Sequence, residues 1–154
     1  MTPLKLSLIL LVSFFGLACQ PKPDAAVTEA ESKEQTMSSK EIPTPSAWRI
    51  VSCERDGKTM VAVNDRGFVA IRDGQIGGNT GCNTFGGEWT GSPAKMKVGG
   101  VMATKMFCAD SNEQESMVLA TLNGTVTSKL QGKLLTLSGG GTTIALQRDD
   151  SLLK

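Results

Sequence analysis

Histidine and tyrosine are both absent from this sequence of 154 residues. Without histidine the chain cannot build a Ser-His-Asp triad, a Cys-His dyad, an HExxH zinc helix or a histidine proton relay. Without tyrosine it lacks the commonest aromatic hydroxyl acid. We therefore expect no enzymatic activity, no catalytic residues, no cofactor and no metal site.

Aromatic residues and net charge are also scarce. Aromatics make up 5% of the chain, and 16 Lys+Arg against 15 Asp+Glu leave a formal charge of +1. Since nucleic-acid binding needs a basic patch, and none is present, we expect no nucleic-acid partner. The length is that of one ordinary domain. The 17 glycines favour strands and turns over a helical bundle.

The N-terminus has the features of a secretory signal. Lys5 precedes the apolar run Leu6–Phe15, which is too short to span a bilayer comfortably and ends in small residues. We predict a signal peptide over residues 1–18. The alternative is a buried N-terminal strand or helix.

The cysteine at the end of this run indicates a lipid anchor. Gly16-Leu17-Ala18-Cys19 resembles a bacterial lipobox, although Leu17 lies two residues before Cys19 rather than three. Gly16 and Ala18 also form a small-x-small site at which ordinary signal peptidase could cleave. Acylation of Cys19 would anchor the protein in a membrane. Gln20 is not aspartate, so the resemblance implies the outer membrane, with the protein facing the periplasm.

A polar segment separates Cys19 from the rest of the chain. Gln20–Ser46 contains no aromatic residue and no leucine, and its charge is −2 from three Lys, one Asp and four Glu. Such a segment buries too little apolar surface to offset the entropy of ordering. Residues 19–46 are therefore predicted to be a lipidated N-terminus and disordered tether, with an r.m.s. reach of about 28 Å. A marginal helix over residues 25–35 is the alternative.

Residues 47–149 read as one α+β domain, followed by a solvated tail over residues 150–154. Short β-type runs alternate with turn residues, and we expect a lone helix packed on a curled antiparallel sheet. Leu135, Leu137, Ile144 and Leu146 alternate with polar positions, which indicates one buried face. The predicted strands are 48–52, 59–63, 68–72, two within 75–89, 125–130, 133–137 and 142–147.

The predicted helix follows Ser111. Ser111 and Gln114 fit a capping box, and Gly124 supplies a C-terminal stop. Helical spacing places Gln114, Met117, Val118, Thr121 and Leu122 on one face.

Two motifs in the domain resemble those of the META domain, or HslJ-like, family. They are Gly81-Cys82-Asn83-Thr84-Phe85 with nearby Gly87 and Trp89, and Thr104-Lys105-Met106-Phe107-Cys108 before the helix. The resemblance implies an α+β domain with a strongly curved, barrel-like antiparallel sheet packed around a single helix. It also implies a bacterial envelope lipoprotein linked to heat-shock or stress tolerance, without assigned catalysis. The matched positions are Trp48, Gly81, Cys82, Asn83, Phe85, Gly87, Trp89, Thr104, Met106 and Cys108.

The two motif cysteines are predicted to form a disulfide. In an exported domain pairing is the default, and joining Cys82 to Cys108 would close a loop of about 27 residues, worth roughly 3.5 kcal/mol in the chain-entropy model. Two reduced buried thiols, or reactive thiols, are the alternatives. Gly81, Gly86 and Gly87 would allow positive φ or close backbone approach, and Asn83 would bond neighbouring backbone.

Cys53 and four methionines read as packing residues. Cys53 is interpreted as a small buried hydrophobe, with competition for Cys82 or Cys108 as the alternative. Core packing is also the interpretation for the methionines, rather than soft-metal binding. They are Met96, Met102, Met106 and Met117.

Three function classes remain at this stage. The first is a non-enzymatic, membrane-anchored envelope lipoprotein that binds or supports an unknown envelope protein or ligand. The second is a lipid- or peptide-carrying, pilot-like module of the periplasm, which would need apolar side chains around an open cavity. The third, a hydrolase or thiol oxidoreductase, is disfavoured because the chain has no histidine and no CxxC motif.

Overall fold

A computed structural model of the chain describes residues 41–153. The predicted signal peptide, Cys19 and most of the predicted tether lie outside the described residues. Residues 41–153 form nine strands, one α-helix and two short 3-10 helices, and none of these helices is long and apolar enough to span a membrane. The strands are β1 (Ser46–Arg55), β2 (Lys58–Val61), β3 (Phe68–Arg72), β4 (Gln75–Asn79), β5 (Thr84–Ser92), β6 (Lys95–Ala103), β7 (Gly124–Gln131), β8 (Leu134–Gly139) and β9 (Thr142–Arg148). The helix is α1 (Asn112–Thr121), and the 3-10 helices are Ala109–Ser111 and Asp150–Leu152.

The sheet closes on itself as an antiparallel barrel. Its order is β1-β3-β4-β5-β6-β7-β8-β9, and β9 pairs back onto β1. The short strand β2 pairs with Ser52–Arg55, the second half of β1, whereas β3 pairs with Ser46–Arg49, the first half. Closure leaves few unpaired edges in the sheet. The predicted α+β class, with a strongly curved antiparallel sheet and a single helix, is confirmed.

The up-and-down strand order gives the barrel two different ends. We call the lower end the one that carries the start of β1 and the β3–β4, β5–β6 and β7–β8 turns. The upper end carries the β4–β5 loop, the β8–β9 turn and the crossover from β6 through α1 to β7. The N-terminal segment therefore enters at the lower end, and both family motifs end at the upper one.

Alternating apolar side chains fill the barrel. Leu135, Leu137, Ile144 and Leu146 are fully buried, which confirms the predicted alternation of β8 and β9. Burial of each such side chain contributes about 1.5–3 kcal/mol relative to exposure. The same interior cluster contains Trp48, Ile50, Val69, Ile71, Ile76, Phe85, Trp89, Met96, Val98 and Val126.

A bulge in β1 explains why Cys53 is buried. The register between β1 and β9 shifts between Ile50 and Ser52, so that Ile50 and Cys53 both reach the core although they are an odd number of positions apart, with two residues between them. Simple alternation would have put one of the two on the outside.

Strand β6 was not predicted. Its inward residues Met96 and Val98 are buried, but Gly99 and Gly100 then interrupt the pattern, and Gly100 has a φ of 62°. The register between β5 and β6 shifts at this point. Glycine in a strand gives no side-chain signal, and it often marks a bulge of this kind.

The helix lies across the upper end of the barrel, but the predicted capping box is wrong. The Ser111 side chain makes no cap hydrogen bond. Gln114 is instead fully buried, accepting from the backbone N–H of Val63 (2.9 Å) and donating to the carbonyl of Thr80 (2.5 Å). Tertiary partners thus replace the local ones.

At the other end of the helix, the Thr121 and Thr142 hydroxyls are 2.5 Å apart.

The packed part of the chain is longer than residues 47–149. Ile42 is buried in the core cluster at the lower end. At the other terminus, Asp150, the first residue of the predicted solvated tail, accepts from the Ala47 backbone N–H (3.3 Å). Asp149 beside it pairs with Arg49 at 2.8 Å. The Ser151 and Arg49 side chains that donate to Asp149 hold the pKa of its carboxyl below the usual range. Arg148 lies over the buried Trp48 ring, 5.8 Å from its centroid.

Candidate functional site

The two family motifs meet at the upper end of the barrel, and we call this junction the motif cluster. It consists of the β4–β5 loop with Cys82 and Asn83, the loop of residues 104–108, and the first turn of α1. Cys82 and Cys108 form a disulfide with their Cα atoms 6.1 Å apart. The predicted pairing is confirmed, and the bond joins the sheet to the entry of the helix.

Asn83 is the centre of the motif cluster. The residue is 1% exposed, and its side-chain amide makes four hydrogen bonds. Its Oδ1 accepts from the Thr104 hydroxyl (2.7 Å) and the Met106 backbone N–H (2.8 Å). Its Nδ2 donates to the Met106 carbonyl (3.0 Å) and to the Glu115 carboxylate (2.8 Å). Asn83 therefore binds both the N–H and the carbonyl of Met106. The prediction that Asn83 bonds backbone groups is confirmed.

Thr80 and Glu115 complete this network, and neither was predicted from the sequence. The Thr80 hydroxyl donates to Glu115 Oε2 (2.8 Å), and its oxygen accepts from the Asn83 backbone N–H (3.1 Å). A glutamate one residue after a buried glutamine, both in the first turn of a helix, was the available signal. A glutamate in the first turn is explained equally well by its favourable interaction with the helix dipole, and partners distant in sequence leave no local pattern.

Two motif glycines are required by close approach. Gly81 has a φ of 107°, and a Cβ there would lie 2.7 Å from Nε2 of Gln114. A Cβ on Gly87 would lie 2.9 Å from a methyl carbon of Val101. Gly86 shows neither feature, since its φ is not positive and a Cβ there would meet open space.

The aromatic motif positions belong to the core rather than to a binding surface. Trp48, Phe85 and Trp89 are all buried. The Trp48 indole N–H donates to the Ser46 hydroxyl (2.7 Å), and that of Trp89 donates to the Arg72 carbonyl (2.9 Å). Each buried indole thus has a polar partner, as buried tryptophans normally do.

The interpretation of the methionines as core residues is only half right. Met96 and Met117 are buried, whereas Met102 and Met106 are 79% and 62% exposed. Phe107 beside them is 88% exposed. In the loop of residues 104–108 it is the backbone of Met106 that is held, so its side chain is free to face solvent.

The polar groups of the motif cluster hold parts of the protein together by bonding to one another. Within residues 41–153 every buried side-chain nitrogen and oxygen has a hydrogen-bond partner, and no group of three or more Cys, Asp or Glu could hold a metal ion. Both cysteines of the cluster are bonded to each other. The Glu115 carboxylate accepts hydrogen bonds from Asn83 and Thr80, so this carboxylate is bound by other groups of the protein.

The third cysteine of the described region lies apart from the cluster. Cys53 is a free thiol in the core, and burial raises its pKa to about 11. The interpretation of Cys53 as a small buried hydrophobe is therefore confirmed.

We expect Cys53 to be inert until the domain unfolds. In the full chain carrying Cys19→Ser, a thiol reagent at pH 8 should label no cysteine under native conditions, because a buried thiol with this pKa carries almost no thiolate. After denaturation without reductant it should label one thiol, and peptide mapping should place the label on Cys53. Labelling of Cys82 or Cys108 would contradict both the pairing and the burial.

Solved structures with a similar fold have low sequence identity to this chain. A protein solved by NMR shares 23% identity at a TM-score of 0.56, over 71% of this chain and 93% of that one. A protein from Burkholderia xenovorans, also solved by NMR, shares 18% identity at a TM-score of 0.55, over 69% of this chain and 83% of that one. At these identities the likeness concerns the fold alone.

The family model gives a more specific result. No curated protein matches the chain significantly. The model of the META domain, however, matches residues 42–151, a range that begins at the buried Ile42 and ends within the last 3-10 helix. It contains the disulfide and the whole Asn83 network. On its sequence and its architecture, the chain belongs to the META domain family.

Proposed function

We propose that this protein is a non-enzymatic, membrane-anchored envelope lipoprotein whose META domain binds or supports another envelope component. Cys19 would carry the lipid, and the polar segment after it would let the domain hang into the periplasm from the outer membrane. The observation that carries the proposal is the motif cluster, whose polar groups bond to one another and hold a loop that bears exposed apolar side chains. A role in envelope stress is the biological setting that the family suggests.

The packing of the barrel disfavours the alternative of a lipid or peptide carrier. A carrier needs apolar side chains around an open cavity, whereas here the largest of them, including Trp48, Met96 and Leu135, are fully buried against one another. A recess of about 210 Å³ at the lower end lies between Ile42, Pro93 and Leu130. It is smaller than the pockets of about 300–1,000 Å³ that usually hold small molecules. The larger recesses, of about 430 Å³ beside Met102 and about 400 Å³ beside Thr90, are open depressions of the surface rather than enclosed cavities.

The absence of catalysis is part of the same proposal. General acid–base chemistry needs a titratable group directed at a substrate. In the motif cluster Glu115 is engaged by Asn83 and Thr80, and Cys82 is oxidised. A turnover screen with ester, peptide and thiol–disulfide substrates should therefore give background rates.

Replacing the predicted lipid-bearing cysteine tests the anchor. Cys19→Ser should move the protein from the membrane pellet to the soluble periplasmic fraction, because the acyl chains provide the membrane affinity. The domain should unfold at the same temperature as before, since the described core is formed by residues between Ile42 and Leu146. Ser38→Ala, in the same N-terminal segment, is the matched control and should stay in the pellet.

Two results would contradict the anchor. One is a Cys19→Ser protein that still sediments with membranes. The other is an intact mass showing unmodified Cys19 at the mature N-terminus, or cleavage elsewhere.

A further inference from the structure

The upper end of the barrel carries an exposed apolar surface that the fold itself does not use. We call it the Phe107 patch and define it as Met102, Met106 and Phe107, which are 79%, 62% and 88% exposed. Met102 lies on the outward face of β6, directly before the loop that carries the other two. Single exposed hydrophobic residues are ordinary, but three within six positions, one of them aromatic, are not.

The loop that presents this patch is held rigidly. Before Phe107, Asn83 binds both the N–H and the carbonyl of Met106, and Thr104 binds Asn83 and the backbone N–H of Thr84. Immediately after it, Cys108 is fixed by the disulfide. An apolar side chain on a pre-ordered loop binds at a lower entropy cost than one on a mobile loop. The motif residues thus fix the loop on which Met106 and Phe107 are exposed to solvent.

The described residues leave the patch uncovered. Ile42, near the start of the described residues, is buried at the lower end, whereas the patch lies at the upper end. Residues 20–40 contain no aromatic residue and no leucine, and so offer little apolar surface to match the patch.

The charges around the patch indicate the kind of surface it fits. Lys105 lies within it, but Asp110 and Glu113 follow, and both are exposed. A net negative border is unfavourable against an anionic lipid surface. It is favourable against a protein surface whose apolar pocket has a basic rim.

We propose that the Phe107 patch is a docking site for another envelope protein, which receives Phe107 and Met106 in an apolar pocket bordered by lysine or arginine. This deepens the proposed function by naming the surface and the partner chemistry. Aromatic residues in such pockets commonly dominate the affinity of an interface.

Crosslinking in cells tests the site directly. A photoreactive benzophenone amino acid is placed at Phe107 of the full chain, and in a second strain at Val61, which is 77% exposed and also apolar. The expected result is a protein adduct of defined mass from position 107 that is absent from position 61. Mass spectrometry then identifies the partner.

The purified partner is next titrated against the full chain. Phe107→Ala should weaken binding about 30-fold or more, as expected for an aromatic anchor, while Val61→Ala should change it less than about 2-fold. Asp110→Asn combined with Glu113→Gln should weaken it several-fold at low salt and much less at about 0.5 M salt. Phe107 is on the surface, so Phe107→Ala should unfold at the parent temperature.

Several results would overturn the proposal. These are equal adducts from positions 107 and 61, an adduct with a second copy of the chain, or an adduct with lipid alone. Equal binding of the parent and Phe107→Ala would also overturn it. Binding of Cys19→Ser protein to vesicles of phosphatidylethanolamine and phosphatidylglycerol that depends on Phe107 would show a membrane site instead. Failure of the proposed anchor is distinguishable, because Cys19→Ser would then stay in the pellet while the crosslink at Phe107 persisted.

Discussion

Replacing Cys108 with alanine is expected to lower the free energy of unfolding by about 2–5 kcal/mol. The disulfide to Cys82 closes a loop with a sequence separation of 26, and its loss restores conformational freedom to the unfolded chain. It also removes the covalent attachment of the loop of residues 104–108 to the sheet. Denaturant unfolding of the full chain carrying Cys19→Ser, with and without reductant, measures the effect.

The control for this prediction is the combined Cys82→Ala and Cys108→Ala variant. Reductant should destabilise the parent to about the level of this variant and should leave the variant unchanged. Cys53 is too deeply buried to contribute under native conditions. A parent protein that unfolds at the same denaturant concentration in both buffers would show that the bond is not structural.

Asn83→Ala is expected to cost about 3–4 kcal/mol. The substitution removes four hydrogen bonds and leaves the Met106 backbone and the Glu115 carboxylate without their amide partner, and each unsatisfied buried group costs about 1–3 kcal/mol. Hydrogen exchange should show that the amide of Met106 loses its protection, because the Asn83 side chain is its acceptor. Asn123→Ala, at an exposed asparagine without such contacts, should stay within about 0.5 kcal/mol of the parent.

Asn83→Asp separates the loss of hydrogen bonds from the loss of packing. Aspartate has nearly the same shape, but when ionised it can accept and not donate. It would then place a second carboxylate against Glu115. We expect this variant to be more destabilised at neutral pH than near pH 4, where the new carboxyl can carry a proton. An Asn83→Asp protein as stable as the parent at neutral pH would contradict the role assigned to the amide.

The sequence was informative where the signal was local. The alternation of Leu135, Leu137, Ile144 and Leu146 predicted the buried face of β8 and β9, because side chains in a strand point alternately to opposite faces. The helix was also predicted, including its buried positions at Met117 and Val118. Strand β6 was missed, since Gly99 and Gly100 interrupt its pattern and carry no side chain that could reveal which face is buried.

The motif cluster was predictable in part. The resemblance of the two motifs implied that they act together, and the export signal made a disulfide between Cys82 and Cys108 the default. The partners of the Asn83 side chain were not predictable, because Thr104, Met106 and Glu115 lie 21, 23 and 32 residues further along the chain. Gln114 shows the same limit: its spacing fits a capping box, but two distant backbone groups bind it more favourably.

The sequence by itself determined the class of the fold and the buried faces of β8, β9 and the helix, since these follow from short-range periodicity and from composition. Export and the family resemblance together implied which cysteines pair. Only the tertiary structure decided which polar groups meet, that β1 bulges to bury Cys53, and that Ile42 and Asp150 belong to the packed domain. It also decided that Met102, Met106 and Phe107 face the solvent although their residue types suggest a core. The physical reason is that burial and hydrogen bonding depend on neighbours brought together by closure of the barrel, and these neighbours are far apart in the sequence.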